Sequence, residues 1–273
     1  MAITADFHLH TEHSTDSDEP MENMILKAID LGLTNICFTE HHDPDFPYDE
    51  HNPEGSFQLN LDSYLYDLLI LRDKYKDKIK VTLGVELGMQ PHLGPLLDRY
   101  AASCDFDFII GSVHIIDRKD PYFRDDFKDL TDEELYRRYF EEVLKDINAF
   151  SKFDTLGHLD YIVRYGYEKD KDYSYDKYKD VIDPILIKLT DMGRALELNT
   201  GAIRNNMKEL NPCMDILKRY RKLGGELITV GSDAHDVSHI ADGFDRAEKV
   251  LLDCGFTHYA TFERRMPIFH KLG

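Results

Sequence analysis

The stretch ITADFHLH, residues 3–10, predicts a β-strand that ends in side chains able to bind a metal ion. Its first part, Ile3–His8, carries the apolar and β-branched residues typical of a strand. Successive side chains of a strand point to opposite faces, so His8 and His10 are expected on the same side. One such pair is a weak signal alone, and it gains weight if other strands also end in residues that bind metals.

Further runs with strand character follow along the chain, and segments with helical periodicity lie between them. These runs are Asn35–Thr39, Lys80–Val85, Asp107–Val113, Asp154–Gly157, Ala195–Asn199 and Leu227–Gly231. Among the helix signals, Asp62 is a candidate N-cap, Thr131 to Glu134 resembles a capping box, and Phe244–Asp253 is the last clear helix. The alternation predicts an α/β fold with a parallel sheet, either a barrel or a doubly wound sheet. No linker rich in Pro, Gly or Ser divides the chain, so we expect a single domain over residues 1–273.

Each predicted strand ends beside a residue type that binds metals, and the carboxyl ends of barrel strands form the active-site face. The candidate ligands are His8, His10, Asp16, His41, Glu86, His114, His158, Asp233 and His235, while the sixth strand offers Glu197 and Asn199. Buried histidines and carboxylates are costly without a cationic partner, so a metal site is favoured over a purely structural role. Nine ligands suit two or three divalent ions, and mixed ligation fits Zn, Mn or Fe. Asp233 and His235 would face the same side if the extended backbone continues past the last strand.

Charge and cysteine content exclude several classes of protein. The chain has 33 Lys or Arg against 52 Asp or Glu, which gives a formal net charge of −19. Such a surface repels nucleic acids and anionic membranes, so we expect neither as a partner. There is no apolar run of about 18 residues and no signal peptide pattern at the N-terminus. The four cysteines form no C-x-x-C pair, which favours a cytoplasmic protein with reduced thiols. The oligomeric state stays open.

Short motifs along nearly the whole chain resemble one known family. They are His8-Leu-His10, Thr39-Glu-His41, Gly84-Val-Glu86, Gly111-Ser-Val-His114, Gly157-His158 and Ser232-Asp-Ala-His235. In type and order they are similar to those of the polymerase and histidinol phosphatase (PHP) family. The resemblance implies a distorted (β/α)7 TIM-like barrel with a trinuclear metal centre at the carboxyl ends of its strands.

The same resemblance implies how the ligands are shared. One metal would use His8, His10, Glu86 and Asp233; a second would use Glu86, His114 and His158; a third would use Asp16, His41 and His235. Many family members have His at the position of Asp16 and Asp at that of Glu40, and both changes keep ligand or hydrogen-bond capacity. His41 aligns with the family's metal-binding histidine, and its neighbour His42 is kept as a substrate-pocket candidate.

The branch of the family that hydrolyses histidinol phosphate is the most similar, on the segments 107–117 (DFIIGSVHIID), 153–166 (FDTLGHLDYIVRYG) and 196–204 (LELNTGAIR). This similarity implies a metal-dependent phosphomonoesterase of histidine biosynthesis that converts L-histidinol phosphate to L-histidinol and phosphate. Metal ions would generate the attacking hydroxide near neutral pH. Asp233 or His235 would carry the proton to the leaving alkoxide.

Two arginines are candidates for binding the phosphate, because a guanidinium matches two phosphate oxygens. Arg204 is the first candidate and Arg164 the second. The substrate also carries an amine and an imidazole, which suit an acidic rim. Asp160, Glu12 and His42 are the candidate contacts for these groups.

Three other functions stay open. The chain could be another PHP phosphoesterase, such as a phosphotyrosine phosphatase or a nuclease, and the net charge of −19 disfavours the nuclease. It could be a C–N hydrolase of the amidohydrolase type, but that type usually has a lysine on strand four, where His114 stands here. A non-catalytic metal-binding module is the third, and the complete ligand set speaks against it.

Overall fold

A mainly parallel sheet organises the protein, whose computed structural model describes residues 3–48 and 52–273. Its strands are β1 (Ala5–Leu9), β2 (Asn35–Phe38), β3 (His41–His42), β4 (Lys80–Gly88), β5 (Phe108–Ser112), β6 (Thr155–Leu156), β7 (Ala195–Asn199) and β8 (Ile228–Gly231). They follow the order β1-β2-β4-β5-β6-β7-β8, and the short β3 pairs with β4 beyond the end of β2. The predicted parallel arrangement is therefore confirmed, with β3 as an addition to it.

The sheet nearly closes on itself at its carboxyl end. The backbone N–H of Asp233, just after β8, donates to the carbonyl of His8 at 2.8 Å. One residue further on, the N–H of His10 donates to the carbonyl of Ala234 at 2.9 Å. These bonds join the first and last strands of the sheet, and the expected distorted α/β barrel is confirmed.

Helices pack on the sheet through their buried faces. In the described part of the chain they are α1 (Met21–Asp30), α2 (Leu61–Tyr75), α3 (Gly94–Ala101), α4 (Asp132–Ala149), α5 (Tyr175–Met192), α6 (Met214–Lys222) and α7 (Phe244–Asp253). The predicted capping box of α4 is confirmed, since Thr131 Oγ1 accepts from Glu134 N and Glu134 Oε2 accepts from Thr131 N. The prediction of Asp62 as N-cap of α2 is wrong: the side chain of Asn60 caps this helix by accepting from Ser63 N at 3.2 Å.

A C-terminal hairpin covers the amino end of the barrel. Its strands β9 (His258–Glu263) and β10 (Met266–Lys271) are antiparallel. Phe262 packs against Phe108 of β5 with ring centroids 5.1 Å apart, which anchors the hairpin below the sheet. The carboxyl ends of the strands therefore stay open on the opposite side, where the candidate ligands lie. No helix among residues 3–48 and 52–273 has the length and apolarity needed to span a membrane.

Candidate metal centre and substrate cavity

Glu86 on β4 lies at the centre of the candidate ligands and is fully buried. Its Oε2 lies 3.2 Å from His8 Nε2, 3.5 Å from His10 Nε2 and 3.0 Å from His41 Nδ1, and its Oε1 lies 3.3 Å from His114 Nε2 and 3.1 Å from His158 Nε2. Burial favours the neutral carboxyl, but the positive charges of His8, His114 and His41 outweigh it and hold the pKa of Glu86 well below its usual range. The carboxylate is thus ionised and is shared by ligands from several strands.

The remaining candidate ligands surround this centre. Asp233 Oδ1 lies 3.6 Å from His8 Nε2 and 3.5 Å from His10 Nε2, and Asp16 Oδ2 lies 3.5 Å from His41 Nε2 and 3.2 Å from His235 Nε2. Four sets of residues have their ligand atoms within 4.8 Å of one another: His8, His10 and Asp233; His8, Glu86 and His158; His41, Glu86 and His114; and His10, His41 and His235. The sets share members, so the cluster has the donors for more than one ion.

Orphaned polar atoms show that this cluster suits a cation. His8 Nε2, His10 Nε2, His41 Nδ1 and Glu86 Oε2 are buried and have no hydrogen-bond partner among the described residues. Each such atom costs about 1–3 kcal/mol when it is left unsatisfied. Four of them meeting at one place would destabilise the fold without a ligand, whereas histidine and carboxylate donors are those that transition metals prefer. The residues present therefore fit a metal centre.

Two carboxylates hold ligand histidines from behind. His8 Nδ1 lies 2.6 Å from Glu197 Oε1, and His114 Nδ1 lies 2.7 Å from Asp43 Oδ1. Such bonds fix the tautomer and leave the other ring nitrogen free for a metal. The sequence gives Glu197 only as a ligand-type residue and gives Asp43 no role. Gly88 makes room for Asp43, because a Cβ at position 88 would lie 2.0 Å from Asp43 Oδ1.

The backbone turns sharply at Asp233. Its φ of 57° lies in the left-handed region, so the extended conformation does not continue from β8 to His235. The turn nevertheless brings Asp233 Oδ1 to His8 and His10, and it brings His235 to Asp16. Close approach of β8 to β1 also depends on Gly231, where a Cβ would lie 2.2 Å from His8 Cβ.

A cavity of about 620 Å³ opens over the ligand cluster. The ligands Asp16, His41, His114, His158, Asp233 and His235 form its floor, and its walls comprise Phe46, Phe57, Tyr122, Phe123, Tyr161 and Tyr165 together with Asn52, Asp120 and Arg164. A small molecule with one anionic end and one aromatic or cationic end matches this lining. The wall residues from the loop after β5, Asp120 among them, carry no periodic or motif signal that sequence reasoning could have used.

The two candidate phosphate-binding arginines have different surroundings. Arg164 lines the cavity, and its Nε and Nη2 are buried without a hydrogen-bond partner among the described residues. Arg204 is outside the lining: its Nη1 donates to the carbonyl of Ser232 at 2.8 Å and its Nη2 to the carbonyl of Asp233 at 2.5 Å. Arg204 thus supports the segment that carries Asp233, and Arg164 has donors free for a ligand.

The candidate contacts for the leaving group also lie outside the lining of the cavity. His42 stacks on Tyr100 with ring centroids 3.7 Å apart, and burial lowers the pKa of His42 to about 4. Asp160 accepts from Asn211 Nδ2 at 2.6 Å and from Cys213 N at 2.9 Å, and burial raises its pKa to about 6. Glu12 is exposed.

Comparison with known proteins agrees with this geometry. The PHP domain model matches residues 6–201. The chain is 34% identical to a histidinol-phosphatase of Lactococcus lactis over 94% of its length and 93% of the relative's, and 34% identical to a probable histidinol-phosphatase of Clostridium acetobutylicum over 96% and 97%. The crystal structure of histidinol phosphate phosphatase from Lactococcus lactis, complexed with Zn, L-histidinol and phosphate, superposes with a TM-score of 0.87 at 32% identity and covers 97% of this chain and 98% of that one.

Proposed function

The chain belongs to the PHP-domain family, and from this premise we propose that it is a phosphomonoesterase that hydrolyses L-histidinol phosphate to L-histidinol and phosphate. The observation that carries the proposal is the cavity itself, which is lined together by a ligand cluster, an arginine with free donors and several aromatic side chains. The ligand cluster and the arginine suit the phosphate of the substrate, and the aromatic side chains suit its imidazole. Similarity to histidinol-phosphatases over nearly the full length supports the same reaction.

We propose that the cluster holds two to three divalent transition metals, Zn, Mn or Fe. The donors His8, His10, Glu86 and Asp233 would hold one ion, Glu86, His114 and His158 a second, and Asp16, His41 and His235 a third. When bound, such ions neutralise charge on the phosphoryl group and lower the pKa of water, which supplies the nucleophile. The carboxylate of Glu86 contributes by staying ionised between the ligand histidines.

The protein's own groups bind the phosphate and handle the proton. Arg164 Nε and Nη2 donate to two phosphate oxygens, a match that a guanidinium makes in its own plane. Asp233 and His235 both line the cavity and are the proposed carriers of the proton to the leaving oxygen. Because Asp233 turns Oδ1 toward His8 and His10, its Oδ2 is the atom proposed to hold that proton.

Part of the aromatic wall suits the histidinol part of the substrate. Phe46 and Phe57 lie side by side there, with ring centroids 4.3 Å apart, and they offer faces to an imidazole. Asp120 supplies a carboxylate on the same cavity, where an amine or imidazolium would gain a charge-assisted hydrogen bond. Asp120 therefore replaces Asp160, Glu12 and His42 as the first residue to test for this contact.

We also propose a cellular location and a class of partner for the enzyme. All four cysteines are free thiols in the structure, and we propose a cytoplasmic enzyme whose substrate is a small molecule. Its formal charge of −19 opposes binding to nucleic acid or to an anionic membrane.

A phosphate-release screen of the Mn- or Zn-loaded protein tests the function. L-Histidinol phosphate is expected to give the highest kcat/KM in a panel that also holds phosphotyrosine, sugar phosphates and nucleotides. Asp120→Asn should reduce kcat/KM for histidinol phosphate by about tenfold, the value of one charge-assisted bond, and reduce that for a neutral aryl phosphate much less. The exposed Asp125 of the same segment gives the control, and Asp125→Asn should leave the ratio unchanged. A wide preference for phosphotyrosine or a nucleotide would refute the proposed substrate.

A further inference from the structure

The guanidinium of Arg164 lies over the face of an aromatic ring, and this contact does not use the hydrogen-bond donors of two of its nitrogens. Its central carbon lies 4.4 Å from the centroid of the Tyr161 ring. Nε and Nη2 are buried and have no hydrogen-bond partner among residues 3–48 and 52–273. A cation over an aromatic face is attracted by the ring quadrupole, an interaction that leaves the N–H donors unused.

The ring of Tyr161 is itself fixed relative to the metal ligands. It packs against His158 with centroids 4.8 Å apart and against His114 with centroids 5.5 Å apart. Its hydroxyl lies 2.6 Å from that of Tyr165, whose ring is 5.1 Å away. Tyr161 and Arg164 belong to one short 3₁₀ segment, Tyr161–Tyr165, that follows β6 and His158 closely. The ring thus connects a ligand histidine on one side to the arginine on the other.

We propose that Tyr161 is a positioning residue that sets the guanidinium of Arg164 at a fixed place relative to the ligand cluster. The ring face holds the cation, and the two free donors then point to a phosphate that also meets the cluster floor. Arranging the donors before the ligand binds removes the ordering cost of a long side chain. The inference rests on the proposed function only in that the bound group is a phosphate monoester or phosphate.

Binding of inorganic phosphate to the metal-loaded protein, measured by calorimetry, tests this role without turnover. Tyr161→Leu should weaken phosphate by about tenfold, within the range known for a desolvated cation–aromatic pair. Tyr161→Phe keeps the ring and should recover most of that loss. In kinetics on an aryl phosphate, Tyr161→Leu should raise KM by a similar factor and change kcat less, since the phosphate is held before and during reaction. Elemental analysis checks that the metal content is unchanged.

A second Arg–Tyr pair provides the matched control. Arg124 lies over the ring of Tyr167 at 4.2 Å, outside the cavity, and its Nη1 donates to the carbonyl of Phe127 at 2.5 Å. Tyr167→Leu should therefore leave phosphate binding at the wild-type value. If Tyr161→Leu does not fold, Tyr161→Met keeps more of the side-chain volume and gives the same comparison.

A double-mutant cycle with Arg164→Ala completes the test. In that background Tyr161→Leu should weaken phosphate no further, because the residue through which the ring acts is gone. Equal phosphate binding by wild type and Tyr161→Leu would overturn the proposal, and so would a loss that persists in the Arg164→Ala background or that is equal in Tyr161→Phe. Rejection of histidinol phosphate by a protein that shows the expected phosphate coupling would refute the substrate and leave the role of Tyr161 intact.

Discussion

Glu86 has both carboxylate oxygens within 3.5 Å of ligand histidines, and Oε1 also accepts a bond from Ser112 Oγ at 2.6 Å. A buried carboxylate that loses one of these partners cannot replace it with water, because water does not reach the site. The low pKa keeps it ionised across the pH range in which an enzyme works. A single residue thus links the proposed first and second metals.

Glu86→Ala and His158→Ala are each expected to abolish turnover and to leave the fold largely intact. Loss of a residue that merely supports a ligand costs about 10–100-fold, so the loss of a ligand should cost more than 100-fold in kcat/KM. Glu86→Ala should also lower the metal content of the purified protein, as seen by elemental analysis. Glu142→Ala is the control, since Glu142 is a buried carboxylate of α4 bonded to Lys145. Near-normal kinetics in either ligand variant would show that the assignment is wrong.

At the scale of elements, the strands that carry ligands could be predicted because burial and alternation mark them in the sequence. β3 could not, since only its pairing of His41 with Glu86 and of His42 with Leu87 defines it. The β9–β10 hairpin was missed for a related reason. Its turn uses Arg264 and Arg265 at φ values of 49° and 64°, where Asn or Gly normally signals a two-residue turn.

The sequence predicts the metal ligands on the floor of the cavity, but it does not predict most of the residues that form the walls. The carboxyl ends of the strands meet in any parallel barrel. The nine ligand-type residues lie at or soon after these ends in the sequence, so the fold brings them together. The sequence ranks Arg204 above Arg164 and the structure favours the reverse, because the fold sets Arg204 against the carbonyl of Ser232, 28 residues away, and places Arg164 on the cavity. Asp120 lies on a loop whose path over the cavity depends on packing, and no local pattern encodes it.

Helix α4 contains a buried carboxyl whose titration should be visible in stability. Asp146 is fully buried, both of its carboxyl oxygens lack a hydrogen-bond partner within the described ranges 3–48 and 52–273, and burial with the nearby charge of Glu142 raises its pKa to about 8. The folded state therefore binds the proton more tightly than the unfolded state. Its contribution to stability is complete below the unfolded pKa near 4 and is lost as the pH rises toward 8.

Asp146→Asn should remove this dependence. From pH 5 to pH 8 the Tm of the variant is expected to rise relative to that of wild type. The reason is that each pH unit in this window lowers the free energy of unfolding of wild type by about 1.4 kcal/mol at most. Thermal unfolding followed by circular dichroism at several pH values measures it. Glu141→Gln, at an exposed position of the same helix, should show no such trend. A constant difference across the window would mean that Asp146 is already ionised in the fold.

At the scale of the whole molecule, the ligand cluster connects strands that are far apart in sequence. Its donors come from β1, β3, β4 and the segments that follow β5, β6 and β8, so bound ions would cross-link most of the barrel. The sheet closes there through backbone bonds that join His8 and His10 to the residues after β8. Metal binding and barrel closure should therefore be coupled, because a ligand that binds only the folded state stabilises it.

Removal of the metals is thus expected to lower the Tm as well as to abolish hydrolysis. At a free metal concentration 1,000 times the dissociation constant, one site adds about 4 kcal/mol. That corresponds to roughly 10 °C for a chain of this size, since about 2–4 °C accompanies each kcal/mol. Treatment with a chelator, dialysis and scanning calorimetry measure the shift, and added Zn or Mn should restore both Tm and activity. Glu86→Ala disturbs two of the proposed sites, so its Tm should respond much less to the same treatment. An unchanged Tm in wild type stripped of metal would separate the cluster from the stability of the barrel and contradict the coupling.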